Sequence, residues 1–187
     1  MHKIPYLIAE VKTDSPFGYH SDKSWDELFE VASSVGDMIS VHTDPRWSGS
    51  FDLISRAKGL TDKPILAKGI HENDDQVRLA LKLGASAVLV VGRLPAEALR
   101  SSCLLEPTSL EQLKEFLSIT DDTQRFVWNN RNLIDGSKRD PAEFKIARNL
   151  CSGWLCQASM ITTPEDIEPA ADAILVGEHI ANFSSLL

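Results

Sequence analysis

Polar side chains stand at the ends of apolar runs throughout this chain. Glu10 and Lys12 close "YLIAEVK", Lys68 closes "PILAK" and Glu106 closes "CLLE". Asn129 and Arg131 follow "RFVW" in the stretch "RFVWNNRNLIDG", Ser159 follows "WLCQA" and Gly177 follows "DAILV". Two lysines and two glutamates brought into one cavity are the groups of general acid–base chemistry. Lys68 is the strongest candidate for the acid. It follows four mostly apolar residues, so its ammonium is partly desolvated, which eases loss of a proton. Glu106 is the natural carboxylate partner for Lys68 across such a cavity. In "LVGEHI", Gly177 lets backbone N–H groups approach a ligand just before a helix start, a usual place for a phosphate. Ser159, in "QASMITTPED", can donate to the same phosphate.

Each residue alone has a plainer reading. The run Asn129-Asn130-Arg131-Asn132 could be a turn, where asparagine bonds its own backbone. Lys12 could be a loop charge. Glu106 before Pro107 could be an acid favoured by the next helix's dipole. The set argues otherwise: a solvated face would scatter charges along helices, not gather them at the ends of apolar runs.

Eight such runs occur: "YLIAEV", "MISVH", "PILAKG", "SAVLVV", "CLLE", "RFVW", "WLCQAS" and "DAILVG". They are near-continuous rather than alternating, as strands of a doubly covered parallel sheet are. Helix-start signals separate them. Ser24, Asn73 and Thr108 each precede Glu or Gln by three residues, the spacing of a capping box. Asp140-Pro141 and Thr163-Pro164 pair a cap with an N-terminal proline, and Gly84 ends "QVRLALKLG". Strand and capped helix, repeated about eight times, predict an α/β fold, a (β/α)8 TIM barrel, spanning 1–187 as a single domain. Such barrels bring their chemistry to the C-terminal strand ends, where these polar residues fall. An open doubly wound sheet is the alternative; there is no G-x-G-x-x-G to favour it. The chain has 187 residues, against ~250 for a typical barrel. The expected economies are a missing N-terminal helical extension and a fourth helix, in "GRLPAEALRSS", cut to about two turns.

The 19 basic and 27 acidic residues give a net charge of −8 without a Lys/Arg-rich run, so neither nucleic acid nor a membrane surface is an expected partner. No apolar run reaches the ~20 residues of a membrane span. "MHKIPYLIAEVK" is charged too early for a signal peptide, which predicts a cytoplasmic protein. Cys103, Cys151 and Cys156, an odd set without CxxC, read as free thiols. His42, His71 and Cys103 lack metal-ligand spacing, so no metal is expected; the histidines read as core or mouth residues. Trp47 in "DPRWSGS" is either an aromatic wall for a substrate ring or a loop anchor. Trp128 should face the helix layer, since strand side chains alternate.

The segments "IAEVKTDSP", "ISVHTDPRWSGSFDLI", "PILAKGI", "GASAVLVV", "LLEPTSLEQL", "WNNRNL", "ITTPEDI" and "ADAILVGEHI" resemble, in order and spacing, indole-3-glycerol phosphate synthase over nearly the whole chain. The resemblance implies a carboxy-lyase of tryptophan biosynthesis. Such an enzyme closes the indole ring of 1-(o-carboxyphenylamino)-1-deoxyribulose 5-phosphate with loss of carbon dioxide and water, and needs no cofactor. By the same resemblance Lys68 is the general acid and Glu106 the later base or proton shuttle. Lys12 holds the substrate carboxylate, and Glu10 and Asn129 orient hydroxyl and amine groups. Arg131 locks the mouth through a carboxylate such as Glu10. Ser15 and Trp47 join Arg131 in substrate binding, and Ser159, Gly177 and Glu178 serve the phosphate.

The chain also departs from that family. Where the family's seventh strand ends Ser-Glu-Ser-Gly-Ile, this one has "QASMI", so Ala158 replaces a carboxylate and Met160 a glycine. Gly69 and Ile70 replace an acid and an aromatic residue after Lys68. Three readings follow: a minimal synthase, a related barrel enzyme on another anionic phosphosugar, or a barrel that has lost catalysis and binds a phosphorylated ligand or a protein. The retained lysines and glutamates argue against the last, because each buried charge costs desolvation energy. Nothing in the chain fixes an oligomeric state.

Overall fold

A computed structural model describes residues 5–185. Eight parallel strands close into a barrel in sequence order, β1 pairing with both β2 and β8. The strands are β1 (Tyr6–Val11), β2 (Met38–His42), β3 (Ile65–Lys68), β4 (Ala87–Val91), β5 (Cys103–Glu106), β6 (Arg125–Asn129), β7 (Leu155–Ala158) and β8 (Ala173–Val176). They coincide with the eight apolar runs within a residue or two at each end. The expected lack of a helical extension before β1 concerns residues 1–4, which lie outside the described residues.

The helices are α1 (Trp25–Val35), α2 (Asp52–Leu60), α3 (Asp74–Lys82), α4 (Glu97–Arg100), α5 (Leu110–Ile119), α6 (Ala142–Leu150) and α7 (Ile180–Ser184). Local chemistry starts them much as expected. Ser24 and Glu27 form a full capping box on α1. Asn73 accepts from Gln76 N on α3, and Asp140 accepts from Ala142 N at α6. The cap of α5 lies one residue later than expected: Ser109 takes Gln112 N, while the Gln112 side chain reaches back to Thr108 N.

Two helices fall short of expectation. α4 has a single turn rather than two, because Pro95 delays its start and β5 begins at Cys103. Between β7 and β8, Thr163-Pro164 opens only a 3-10 turn, Pro164–Asp166. There Asp166 Oδ2 accepts from Thr162 N and Thr163 N, and Pro169 pushes Glu168 away from helical geometry. Among the described residues the barrel therefore carries seven α-helices. No helix among the described residues is long and apolar enough to cross a membrane.

Strand alternation divides the core in two. Leu7, Ala9, Val11, Ile39, Val41, Phe126 and Trp128 point outward and pack under the helices with Phe116, Phe144 and Phe183. Ile8, Met38, Leu66, Leu89, Leu104, Val127, Cys156 and Leu175 fill the barrel interior. Trp128 thus faces the helix layer, where the Arg139 guanidinium lies 5.4 Å from its ring. The three cysteines are free and buried.

Candidate active site

The interior layer dictates the site. Moving two residues along each strand keeps a side chain on the same face. Ile8 therefore leads to Glu10 and Lys12, Leu66 to Lys68, Leu104 to Glu106 and Val127 to Asn129. The apolar plug ends where the barrel opens, and the next inward position on those strands is polar. The same rule takes Met38 to Ser40 and His42, so β2 also delivers a polar group to the mouth.

Glu10 is the hub of the floor. Its Oε1 lies 2.6 Å from Lys68 Nζ and 2.7 Å from His42 Nε2, with neither contact aligned as a hydrogen bond. Burial opposes ionisation of Glu10, but Lys68, His42 and Lys12 outweigh it and hold the carboxyl well below its usual range. Burial lowers His42 despite Glu10, which favours the neutral imidazole. The other oxygen of Glu10 fills the place where a Cβ on residue 177 would stand. Gly177 is thus needed for room rather than for a special backbone angle. On the side where a Cβ would stand, its neighbour is Glu10.

Glu106 sits in a different environment. Asn129 Nδ2 donates to its Oε1 at 2.8 Å, while Oε2 is buried without a partner. Burial pushes the Glu106 carboxyl up, against the opposing pull of Lys68 and of the Asn129 bond. Two buried glutamates in one mouth are thereby shifted in opposite directions, the usual mark of divided acid–base roles. The expected direct pairing of Lys68 with Glu106 is corrected: Lys68 pairs with Glu10, and Glu106 feels it only as a nearby charge.

A second ion cluster spans the mouth above the floor. Glu178 Oε1 accepts from Lys12 Nζ at 2.8 Å, and its Oε2 accepts from Arg131 Nη2 at 2.9 Å. Arg131 therefore locks to Glu178, not to Glu10. These cations hold the Glu178 carboxyl below its usual range in spite of its partial burial. In the Asn-rich stretch after β6, Asn129 binds Glu106 and Asn130 Nδ2 donates to Ser159 O. Asn132 makes a turn, accepting from Ile134 N. The site reading and the turn reading each hold for part of it.

The mouth is lined by Lys12, Lys68, Glu106, Asn129 and Arg131, with Trp47 and Ser159 at its edge. Trp47 stacks on His42, ring centroids 5.7 Å apart and nearly coplanar in tilt at 6°. It lines the mouth and is anchored on His42. Phe17, from the β1–α1 loop, roofs the space. It meets Trp47 edge-on at 6.3 Å, lies under Arg131 at 5.5 Å and would collide with any Cβ on Gly136. The free volume beneath is about 30 Å³, little more than room for water.

Ser15 does not line this space; it is buried in the β1–α1 loop, and its hydroxyl accepts from Phe17 N. It shapes the roof rather than facing a ligand. Ser159 and Met160 both have left-handed backbone, φ 67° and 54°, where glycine is the unstrained choice. α7 has only five residues, so its dipole adds little to a phosphate site. Gly69 is explained by Thr43, whose hydroxyl lies where a residue-69 Cβ would be and contacts His71 Nε2 at 2.9 Å. His42 could have been found by the period-two rule that gives Glu10. Phe17 and Leu133 carry no such signal, because loop geometry alone brings them over the mouth. Among the described residues no cluster of His, Cys, Asp or Glu is arranged to hold a metal ion.

Comparison with known proteins agrees with this geometry. The family model described as indole-3-glycerol phosphate synthase matches residues 1–186. The indole-3-glycerol phosphate synthase of Pyrococcus abyssi is 31% identical, over 91% of this chain and 83% of its own. That of Priestia megaterium is 30% identical, over 93% and 76%. A solved structure of 3-hexulose-6-phosphate synthase superposes with a TM-score of 0.67 over 97% of both chains at 16% identity, a likeness of fold alone.

Proposed function

The chain belongs to the indole-3-glycerol phosphate synthase family, and from that premise we propose that its barrel mouth is a working carboxy-lyase site. The reaction is closure of the indole ring of 1-(o-carboxyphenylamino)-1-deoxyribulose 5-phosphate. The aryl carbon attacks the sugar carbonyl, carbon dioxide leaves that carbon, and the new hydroxyl departs as water.

Lys68 gives its proton to the carbonyl oxygen as the carbon–carbon bond forms. Glu10, 2.6 Å away, keeps the ammonium positioned until then. Glu106 is the proton shuttle of the dehydration. Its buried carboxyl, with one free oxygen and one fixed by Asn129, suits a group that takes and returns a proton. Lys12 holds the substrate carboxylate until it is lost. Trp47 supplies a flat face for the aromatic ring, and Ser159 takes the phosphate.

The single observation that carries this reading is the contrast of Glu10 and Glu106 around Lys68. A barrel released from catalysis has no reason to bury, beside a lysine, two carboxyl groups whose surroundings push them in opposite directions. Incubating the pure protein with the anilino-deoxyribulose phosphate and following indole fluorescence tests it. A steady rise supports the reading; no rise with substrate demonstrably bound removes it. One observation favours a second reading, a related reaction on a different anionic sugar derivative: Glu178 already engages the two cations, Lys12 and Arg131, that a doubly anionic substrate needs.

A further inference from the structure

The charges of the mouth are accounted for within the chain. Lys68 is paired with Glu10. Lys12 and Arg131 share the Glu178 carboxylate, one oxygen each, at 2.8 and 2.9 Å. The three side chains come from the ends of β1 and β6 and from the loop after β8, so they tie together elements that are distant in sequence. All are largely shielded, with side-chain exposures of 8% for Lys12, 12% for Arg131 and 16% for Glu178. Shielding matters because screening by water and salt is weak there, and a charge brought beside another is felt strongly. Three cations thus face two ionised carboxylates, with Glu106 the third acid. A small space beside this cluster is lined by Ser159, Met160, Gly177 and His179 as well as by Lys12, Arg131 and Glu178.

We propose that Glu178 determines specificity by supplying, from within the chain, the anionic group that Lys12 and Arg131 would otherwise take from a ligand. A carboxylate or phosphate of the ligand therefore enters the cluster only by displacing the Glu178 side chain. A phosphate beside an ionised carboxylate meets like-charge repulsion, which is felt strongly at a shielded contact. Removing that charge while keeping the side chain's shape frees both cations.

This inference rests on reading the mouth as a site for a sugar phosphate, and its test separates the two. Titration calorimetry compares wild type, Glu178→Gln and Glu178→Gln/Arg131→Met, using ribose 5-phosphate and unphosphorylated ribose as probes. Glu178→Gln binds ribose 5-phosphate tighter by about tenfold or more, the gain disappears in the double variant, and ribose shows no change. A gain below about threefold, an equal gain for ribose, or no phosphate binding by any form overturns the role of Glu178. Glu178→Ser is measured in parallel, and thermal melts establish that each variant is folded. If Glu178→Gln gains phosphate affinity while the wild type makes no indole product, the reaction reading fails and the role of Glu178 stands. If the wild type makes product and the gain is absent, the reverse holds.

Discussion

Gly177, at the end of β8, is a glycine because the Glu10 carboxylate from β1 occupies the place of its Cβ. Its backbone is outside the left-handed region, so the requirement is space alone. Gly177→Ala should therefore destabilise the fold by about 1–3 kcal/mol through overpacking. The cost should shrink in a Glu10→Ala background, giving a coupling of roughly 0.5–3 kcal/mol in a double-mutant cycle measured by denaturant unfolding. Additive costs would mean that Glu10 and residue 177 do not share that space.

Glu106→Gln should cut turnover and arrest a later step than loss of Lys68 does. The amide keeps the Asn129 contact but can neither take nor return a proton. Rapid-quench analysis should then show a ring-closed, still hydroxylated species accumulating in Glu106→Gln and absent from Lys68→Met. The same species in both, or in neither, contradicts the division of labour.

Stability should respond to pH through Glu106 in a defined sense. Burial raises its carboxyl in the folded state, so the folded chain holds that proton where the unfolded chain has released it. The contribution is fully present below the ordinary glutamate range and is lost as pH rises through the raised folded value. Wild type should thus lose stability relative to Glu106→Gln as pH rises from the ordinary glutamate range through the raised folded value. Melting curves across that range check the sign, and a difference independent of pH would show Glu106 ionised as an ordinary surface carboxylate.

The barrel was legible in the sequence because its signals are local. Eight apolar runs and side-chain caps such as Ser24–Glu27 depend on neighbours a few residues away. The floor of the site was legible for the same reason: two steps from Leu66 or Leu104 lead to Lys68 or Glu106 on the inward face. What escaped is set by contacts between distant segments. Resemblance assigns Glu178 to a phosphate, but its bonds to Lys12 and Arg131 exist only because β1 and β6 bring those cations to it. The room that Gly177 leaves for Glu10 is likewise set by the meeting of β8 and β1. The helix expected after Thr163-Pro164 is cut to one 3-10 turn by Asp166 and by Pro169, a competition that the capping signal does not reveal.

The central claim is that Lys68, held by Glu10 beside Glu106, donates the proton that allows ring closure. The most direct measurement is the time course of indole fluorescence for wild type and Lys68→Met with the anilino-deoxyribulose phosphate, at matched saturation. The account predicts a steady rise for wild type and a rate lower by about 10²–10⁴-fold for Lys68→Met, with the variant folded and still binding ligand. A variant that keeps more than about a tenth of the wild-type rate, or a wild type that binds the substrate and forms no indole, would contradict it.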